Sequence, residues 1–201
     1  IPPQVIQRAV GLAIFTTLRA GFHFSGSAGS GIIVSRLPDG SWSPPSGIQV
    51  LSIGTGFQFG VDIYDCVCVI NTQEALSSFM KQTRVSLGSD IAISAGPYGA
   101  GAALDGSASS VLSPVFSYVT SRGFYAGVQI DGTAIVERRE ANAAFYGQPV
   151  PVAQILQGKV SVPQEASLAA LMDVLAAAEA RPETRSTGVS EMRYTDETTG
   201  E

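Results

Sequence analysis

The sequence has few of the residues on which catalysis and metal binding usually depend. It contains one histidine, two cysteines and one tryptophan among 201 residues, and only 14% of its residues are charged. The histidine, His23, lies between Phe22 and Phe24 in a predicted strand, where a lone histidine is far more often structural than a general base or a metal ligand. We therefore assign His23 a structural role.

The motifs of common enzyme classes are also missing. Neither Ser27 nor Ser30 has a glycine two residues away on both sides, as a nucleophile elbow requires. Residues 101–107 have glycines at the spacing of a phosphate-binding loop but no following lysine, and no dinucleotide-binding fingerprint occurs at Gly54 or Gly99. We predict that the protein is not an enzyme and that it requires no cofactor.

Long apolar runs are absent as well. No stretch reaches the roughly 18 uninterrupted apolar residues of a spanning helix, and Ile1 begins no basic-then-apolar targeting pattern. Cys66 and Cys68 are two residues apart in an apolar run, so they point to the same face of a strand and can hardly form a disulfide with each other. Reduced core thiols fit a reducing compartment, and we expect a cytoplasmic protein.

The net charge of −5 is unevenly distributed. Residues 1–150 carry eight basic and nine acidic side chains, a net charge of −1, whereas residues 151–201 carry four and eight, a net charge of −4. The body is therefore nearly neutral and the C-terminal segment is acidic. Bulk electrostatics does not favour nucleic acid as a partner.

Glycine, in contrast, is abundant and points to a β-rich fold. Of the 22 glycines, 18 lie between Gly11 and Gly132, interleaved with β-branched and aromatic residues. This pattern predicts many short, bent, closely packed strands that mostly pair antiparallel. Turns are predicted at residues 37–40 and 96–99.

Helices are predicted at four places. The cap residues Asn71 and Thr72 precede a helix from Gln73 to about Lys81. Further helices are expected over residues 137–146, closed by Gly147, over residues 152–157, and over residues 165–180. The predicted fold class is α+β: a bent, mostly antiparallel sheet approaching a barrel, with packed helices and a C-terminal helix.

Candidate binding residues are scattered basic side chains and one pair of carboxylates. Asp62 and Asp65 could offer oxygen ligands to calcium, but their spacing places them on opposite faces of a regular strand, so only a bulge or an adjoining loop could bring them together. Basic side chains could bind phosphate groups if they converge, since one such side chain near an anionic membrane contributes only about 1 kcal/mol. The candidates for lipid or actin binding are Arg8, Arg19, Lys81, Arg84, Arg122, Arg138 and Arg139.

Several segments of the sequence, in their order along the chain, resemble those of a known family. Its opening over residues 1–14 is followed by Ala20-Gly21-Phe22, by the segment 25–31 and by the segment 37–45 with Trp42. Farther along come Ala95-Gly96-Pro97, the segment 121–127 and the segment 142–147 in the same order. Together these segments closely resemble SYLF domains over residues 1 to about 160.

The resemblance implies a non-enzymatic lipid-binding module. Members of the family join phosphoinositide membranes to actin-rich endocytic sites, and some bind or bundle actin filaments. The leading hypothesis is therefore a peripheral adaptor at membranes and cortical actin whose partners are phosphoinositide membranes, actin filaments and endocytic adaptor proteins. The alternatives are an actin-binding and bundling domain in which lipid is secondary, and a calcium-regulated binding domain.

The domain prediction has three parts. Residues 1–160 form the SYLF-like domain, residues 161–180 contain the C-terminal helix, and residues 181–201 form an acidic, disordered tail.

Overall fold

The computed structural model of the chain describes residues 1–80, 83–94, 104–105, 115–163 and 165–180. Its strands are β1 (Gly11–Ser35), β2 (Ser46–Ile70), β3 (Thr83–Ser94), β4 (Leu104–Asp105) and β5 (Val115–Glu137). Its helices are α1 (Pro3–Arg8), α2 (Gln73–Met80), α3 (Arg139–Tyr146), α4 (Val152–Leu156) and α5 (Ala166–Ala180). The strands form one open sheet in the order β1-β2-β5-β3-β4, and every pairing is antiparallel. The predicted α+β class is confirmed.

The strands are much longer than predicted. β1 and β2 each have 25 residues and β5 has 23, so the expectation of many short strands is wrong. Glycine permits a strand to bend without ending, and the glycine pattern of a bent long strand is the same as that of several short ones. The predicted bending itself is present.

β1 folds back on itself, which divides the sheet into two layers. A Cβ atom on Gly21 would lie 2.8 Å from the Cβ atom of Ser25, and one on Gly31 would lie 2.5 Å from the Cα atom of Phe15. We call the part formed by residues 11–22, 59–70 and 115–126 the first layer. The part formed by residues 24–35, 46–55 and 130–137, together with β3, is the second layer.

Two unusual backbone conformations accompany the bend. The register between β1 and β2 shifts between Phe22 and Phe24, and His23 between them has φ 61°. On β2, Gly60 has φ 135°, a conformation that glycine tolerates at little cost. His23 therefore has a conformational role at the point where the chain changes layer.

The main core lies between the layers. Ala13, Phe15 and Ile33 of β1 face Ile48, Val50, Cys66, Cys68 and Ile70 of β2. Ala75 and Leu76 of α2 and Val152 and Leu156 of α4 pack against the same cluster and cover the end opposite the bend. Cys66 and Cys68 are buried thiols that form no disulfide, and their sulfurs lie 3.6 Å apart, on one strand face as their spacing predicts.

A second cluster lies on the outer face of the first layer. Ile6 and Ala9, from α1 and the residue that ends it, and Leu175 of α5 cover Leu12 and Val69 there. Polar contacts hold α5 in place: Glu179 forms an ion pair with Arg36 at 2.6 Å and accepts a hydrogen bond from the indole N–H of Trp42 at 3.0 Å. The guanidinium of Arg36 stacks on the Trp42 ring at 3.8 Å. The C-terminal helix is thus part of the packed body.

Most helix boundaries agree with the local signals. The Thr72 hydroxyl accepts a hydrogen bond from the Ala75 N–H at the start of α2, and α3 ends at Gly147, which has φ 72°. The helix predicted from residue 137 begins two residues later, because Glu137 is still paired with Ile48 in the sheet. The predicted turn at residues 37–40 is present, with a hydrogen bond from the Gly40 N–H to the Leu37 carbonyl.

Several predictions fall outside the described residues. These are the turn at residues 96–99, Lys81 and the acidic tail over residues 181–201, and the three-part domain division stays a prediction. In the part of the chain that the structure describes, no helix is both long and apolar enough to cross a membrane.

Candidate functional site

The most exposed large apolar side chains that the structure describes in the sheet lie near the bend. Phe22 is 68% exposed, Phe24 74%, Ile53 78%, Phe59 59% and Val61 59%. We call these five residues the apolar cap. Phe22 and Phe59 form an edge-to-face pair with ring centroids 6.2 Å apart, so part of the cap is ordered by its own contacts.

The cap belongs to a continuous series of uncharged cross-strand pairs on the outer faces of both layers. On the first layer the pairs are Leu18 with Ile63, Ala20 with Val61, and Phe22 with Phe59; on the second layer they are Phe24 with Thr55, Gly26 with Ile53, and Ala28 with Leu51. The next outward pairs are polar: Thr16 with Asp65 on the first layer and Ser30 with Gln49 on the second. The apolar surface therefore ends at the same distance from the bend on both layers.

Two charged residues near the bend face inward. Arg19 and Asp62 form an ion pair between the layers at 3.0 Å, with side chains 12% and 0% exposed. The Ser121 hydroxyl donates to the same carboxylate oxygen at 2.5 Å. The Arg19 guanidinium lies 5.0 Å from the centre of the Tyr64 ring, and burial raises the pKa of Tyr64. In this pair each side chain neutralises the charge of the other between the layers. Arg19 exposes little of its side chain to solvent.

A second ion pair lies on the outer face of the first layer. Arg122 is paired with Asp65, and their side chains are 48% and 43% exposed. The Thr16 hydroxyl donates to the other oxygen of Asp65 at 2.6 Å. Arg122 lies opposite Ile63 in the strand register, next to the edge of the uncharged pairs.

The structure brings Arg138 close to that edge. An open groove is lined by Thr16, Leu18, Ala28, Gly29, Ser30, Gln49, Ile63 and Arg138. Arg138 is exposed, and Arg122 adjoins the groove through its register partner Ile63. We call Arg122 and Arg138 the basic shoulder. Arg139, the next residue, forms an ion pair with Glu137, in which the arginine Nε atom lies 3.7 Å from a carboxylate oxygen.

The remaining basic candidates lie elsewhere. Arg8 is exposed at the end of α1 and lines a different groove, together with Arg36 and Gln73. Arg84 pairs with Ile135 in the second layer, and Lys81 lies outside the described residues. Of the seven candidates, Arg138 therefore lines the groove beside the uncharged pairs, and Arg122 lies beside one of that groove's lining residues, Ile63.

The two candidate calcium ligands diverge. Asp62 lies between the layers and Asp65 on the outer face, as their spacing predicts, and each is paired with an arginine. Among the described residues, no group of three or more His, Cys, Asp or Glu side chains could hold a metal ion. The bulge in this part of the sheet is in β1, and it does not bring the two carboxylates together.

Sequence reasoning did not identify the apolar cap. Its residues alternate with glycine or polar residues in the same way as residues that face the core. The signal that could have found it is the distribution of charge: in residues 18–32 the only lysine, arginine or acidic residue is Arg19, and in residues 47–64 it is Asp62.

Comparison with known proteins identifies the family. Residues 51–178 match the sequence profile of the Ysc84 family, "Las17-binding protein actin regulator". The chain belongs to the Ysc84 family. This match confirms the resemblance to SYLF domains, and it assigns the chain to a family of actin regulators.

Curated relatives agree with the Ysc84 assignment. The chain is 50% identical over 167 residues to Protein YSC84 of Saccharomyces cerevisiae, covering 83% of this chain and 36% of the relative. It is 48% identical over 164 residues to LAS seventeen-binding protein 3 of the same species, covering 81% and 36%. It is 40% identical over 167 residues to the human SH3 domain-containing YSC84-like protein 1, covering 83% and 48%.

The matches with these Ysc84 relatives cover only part of each of them. The chain spans between about a third and a half of the length of the curated relatives it matches. No solved structure matches the sequence.

Proposed function

We propose that this Ysc84-family domain is a non-enzymatic adaptor that binds phosphoinositide-containing membranes and links them to the actin cytoskeleton in endocytosis. It would act in the cytoplasm, peripherally at membranes and cortical actin, together with endocytic adaptor proteins. Family membership supports the actin-regulatory part of the proposal. The name of the yeast relative, a LAS seventeen-binding protein, supports a protein partner of the actin machinery.

The membrane part is carried by one observation, the groove that contains Arg138. Its lining offers a guanidinium, the hydroxyls of Thr16 and Ser30, and the side-chain amide of Gln49. Guanidinium and hydroxyl donors are the groups that bind phosphate oxygens. Asp65 neutralises Arg122 in the free domain, so the excess positive charge of the basic shoulder comes from Arg138.

The test is co-sedimentation of the 201-residue chain with phosphoinositide vesicles, with phosphatidylcholine vesicles as the control. We expect binding to the phosphoinositide vesicles that weakens as salt is raised, because screening reduces the attraction between exposed charges. Arg122→Glu combined with Arg138→Glu should lower binding by about tenfold or more, since each basic residue near an anionic surface contributes about 1 kcal/mol.

The matched control for that charge reversal is Arg8→Glu. Arg8 is equally exposed but lines the other groove, so its reversal should leave vesicle binding within about twofold of the native chain. If the double reversal and Arg8→Glu bind as well as the native chain, the headgroup site is not at the basic shoulder. If the native chain binds no anionic vesicle, the membrane part of the proposal is wrong.

Direct binding of actin filaments is the second candidate function, and the family description as an actin regulator favours it. Filament co-sedimentation in parallel with the vesicle assay separates the two. Filament binding without vesicle binding would make the domain a cytoskeletal module. Bundling would require, in addition, a second filament site or self-association.

Calcium regulation, the third hypothesis, is tested by repeating both assays with calcium and with a chelator. Asp62 and Asp65 face opposite sides of the sheet, so we expect no change in either assay. A calcium-dependent change that is lost in Asp65→Ala would show that the outer carboxylate binds the ion.

A further inference from the structure

The apolar cap lies at the bend of the folded sheet. Each layer carries three uncharged cross-strand pairs next to the bend, and the polar pairs begin at Thr16 with Asp65 and at Ser30 with Gln49. An aromatic side chain has about 150–250 Å² of surface, so the five cap residues together expose on the order of 500 Å² of apolar side chain. A monomeric domain that keeps such a patch in water usually uses it for an interaction.

The depth of this surface can be measured along the strands. Leu18 to Phe22 on the first layer and Phe24 to Ala28 on the second each span four residue steps, which is about 13 Å at 3.3 Å per residue. The hydrocarbon core of a bilayer is about 30 Å thick, so one leaflet contributes about 15 Å. The uncharged surface is therefore as deep as one leaflet and too short to cross two.

Residues 18–32 and 47–64 contain two charged side chains, Arg19 and Asp62, and one histidine, His23, which is exposed at the bend itself. Arg19 and Asp62 lie between the layers and neutralise each other. Arg122 and Arg138 stand at or just beyond the last uncharged pairs. The Arg122–Asp65 ion pair and Arg138 thus border the uncharged pairs on the side away from the bend.

We propose that the apolar cap inserts into the hydrocarbon of a single membrane leaflet while the basic shoulder remains at the anionic headgroups. This inference rests on the proposed membrane function and specifies how it is performed. It adds a component of binding that comes from apolar burial and that salt does not screen.

A bilayer fits this surface better than a protein partner or a second copy of the chain. The uncharged pairs of both layers extend to the same distance from the bend, and Leu18 and Ile63 of the first layer line one groove with Ala28 of the second. Insertion of the bend to that depth would bury the pairs of both layers at once. The uncharged surface also ends at the same depth on both layers, where the first layer carries the neutral Arg122–Asp65 ion pair and the second layer carries the cationic Arg138. Ionic and cationic groups at that depth match the boundary between hydrocarbon and anionic headgroups.

Insertion can be observed directly by placing a tryptophan in the cap. Phe22→Trp adds one tryptophan at the bend, and the native Trp42, held against Arg36 and Glu179 by α5, serves as the internal reference. On anionic vesicles that contain lipids brominated on the acyl chains, we expect the Phe22→Trp fluorescence to shift to the blue and to be quenched. Fluorescence from the native chain should be unchanged by the brominated lipids.

A pair of polar substitutions tests whether the cap contributes to binding. Phe24→Gln with Ile53→Gln should reduce vesicle binding at least tenfold at high salt, because both side chains are more than 70% exposed in the free domain and would be buried in the leaflet. The control is Val174→Gln, an equally polar change at a residue of α5 that is 65% exposed and lies away from the bend. Thermal unfolding of all three chains checks that the fold is retained.

The outcomes separate this inference from the membrane proposal on which it rests. If the native chain binds anionic vesicles but the Phe22→Trp signal is not quenched and the double variant binds normally, insertion is wrong and binding is confined to headgroups. If no vesicle is bound, both proposals are wrong. If the cap substitutions abolish a concentration-dependent dimer and no vesicle is bound, the cap joins two copies of the chain and insertion is wrong.

Discussion

Gly31 lies directly against Phe15: a Cβ atom added to Gly31 would be 2.5 Å from the Phe15 Cα atom. These residues belong to one strand but to different layers, because β1 bends between Phe22 and Phe24. The backbone of the second layer therefore packs on the backbone of the first. The sheet can fold over this tightly only where one of the two facing residues is a glycine, which has no side chain.

Replacing Gly31 with alanine should destabilise the domain by about 2–3 kcal/mol, as expected for overpacking against atoms that cannot move aside. The added methyl group would meet the Ile14 carbonyl oxygen and the Phe15 backbone. Chemical denaturation measures the change. The control is Gly26→Ala, where a Cβ atom would meet nothing within 4 Å; a similar loss in both variants would contradict the close approach of the layers.

The two ion pairs of the sheet should differ strongly in their effect on stability. Asp62→Ala leaves Arg19 between the layers without its partner and should cost about 3–5 kcal/mol, as breaking a buried pair does. Asp65→Ala removes a carboxylate from an exposed pair and should cost about 1 kcal/mol or less. Equal losses in urea denaturation would show that the burial of Asp62 has no energetic consequence.

Glu179 should be the residue that holds the end of α5 on the sheet. Its carboxylate accepts from both Arg36 and Trp42, so Glu179→Ala should destabilise the helix by about 1–2 kcal/mol. The expected signs are a red shift of Trp42 fluorescence and faster amide exchange in α5. Asp173→Ala, an exposed acidic residue of the same helix, provides the comparison; if it has the same effect, the contact of Glu179 is not the cause.

Tyr146 should make the stability of the domain depend on alkaline pH. Burial raises the pKa of Tyr146 from 10.0 to about 12, and its hydroxyl donates to the Pro45 carbonyl oxygen at 2.6 Å. Because the folded-state pKa is raised, the contribution of the neutral hydroxyl is fully present below pH 10 and is lost as the pH rises from 10 to about 12. The ultraviolet absorbance of phenolate, followed during an alkaline titration, measures this step.

The matched variant for that titration is Tyr146→Phe. Its absorbance change should lack the component near pH 12, and its stability should depend less on pH between 10 and 12 than that of the native chain. A titration identical to that of the native protein would assign the component to another tyrosine, such as Tyr64, whose pKa burial also raises.

Local signals predicted the helices because a helix end is determined within a few residues. Thr72 caps α2 with its own hydroxyl, and Gly147 ends α3 in a left-handed conformation that other residues avoid. The opposite orientations of Asp62 and Asp65 likewise follow from the two-residue period of a strand. No distant contact had to be known for any of these predictions.

The length of the strands and the location of the apolar cap could not be predicted in this way. Glycine is equally common where a strand ends and where it bends, so residues 11–35 read as several strands. Phe22 and Phe24 are of a residue type that is typical of protein cores. They are nevertheless 68% and 74% exposed, because the bend places them outside both layers.

By itself, the amino-acid sequence determined the fold class, the antiparallel pairing, the helices and the family. The first three depend on local conformational preference, and the family is evident from sequence motifs that relatives share. Only the tertiary structure decided which charges are internal, which arginine lines the groove, and which apolar residues face solvent. Those properties depend on how the sheet bends, and the bend is produced by contacts between residues as far apart in the chain as Phe15 and Gly31, for which no local signal exists.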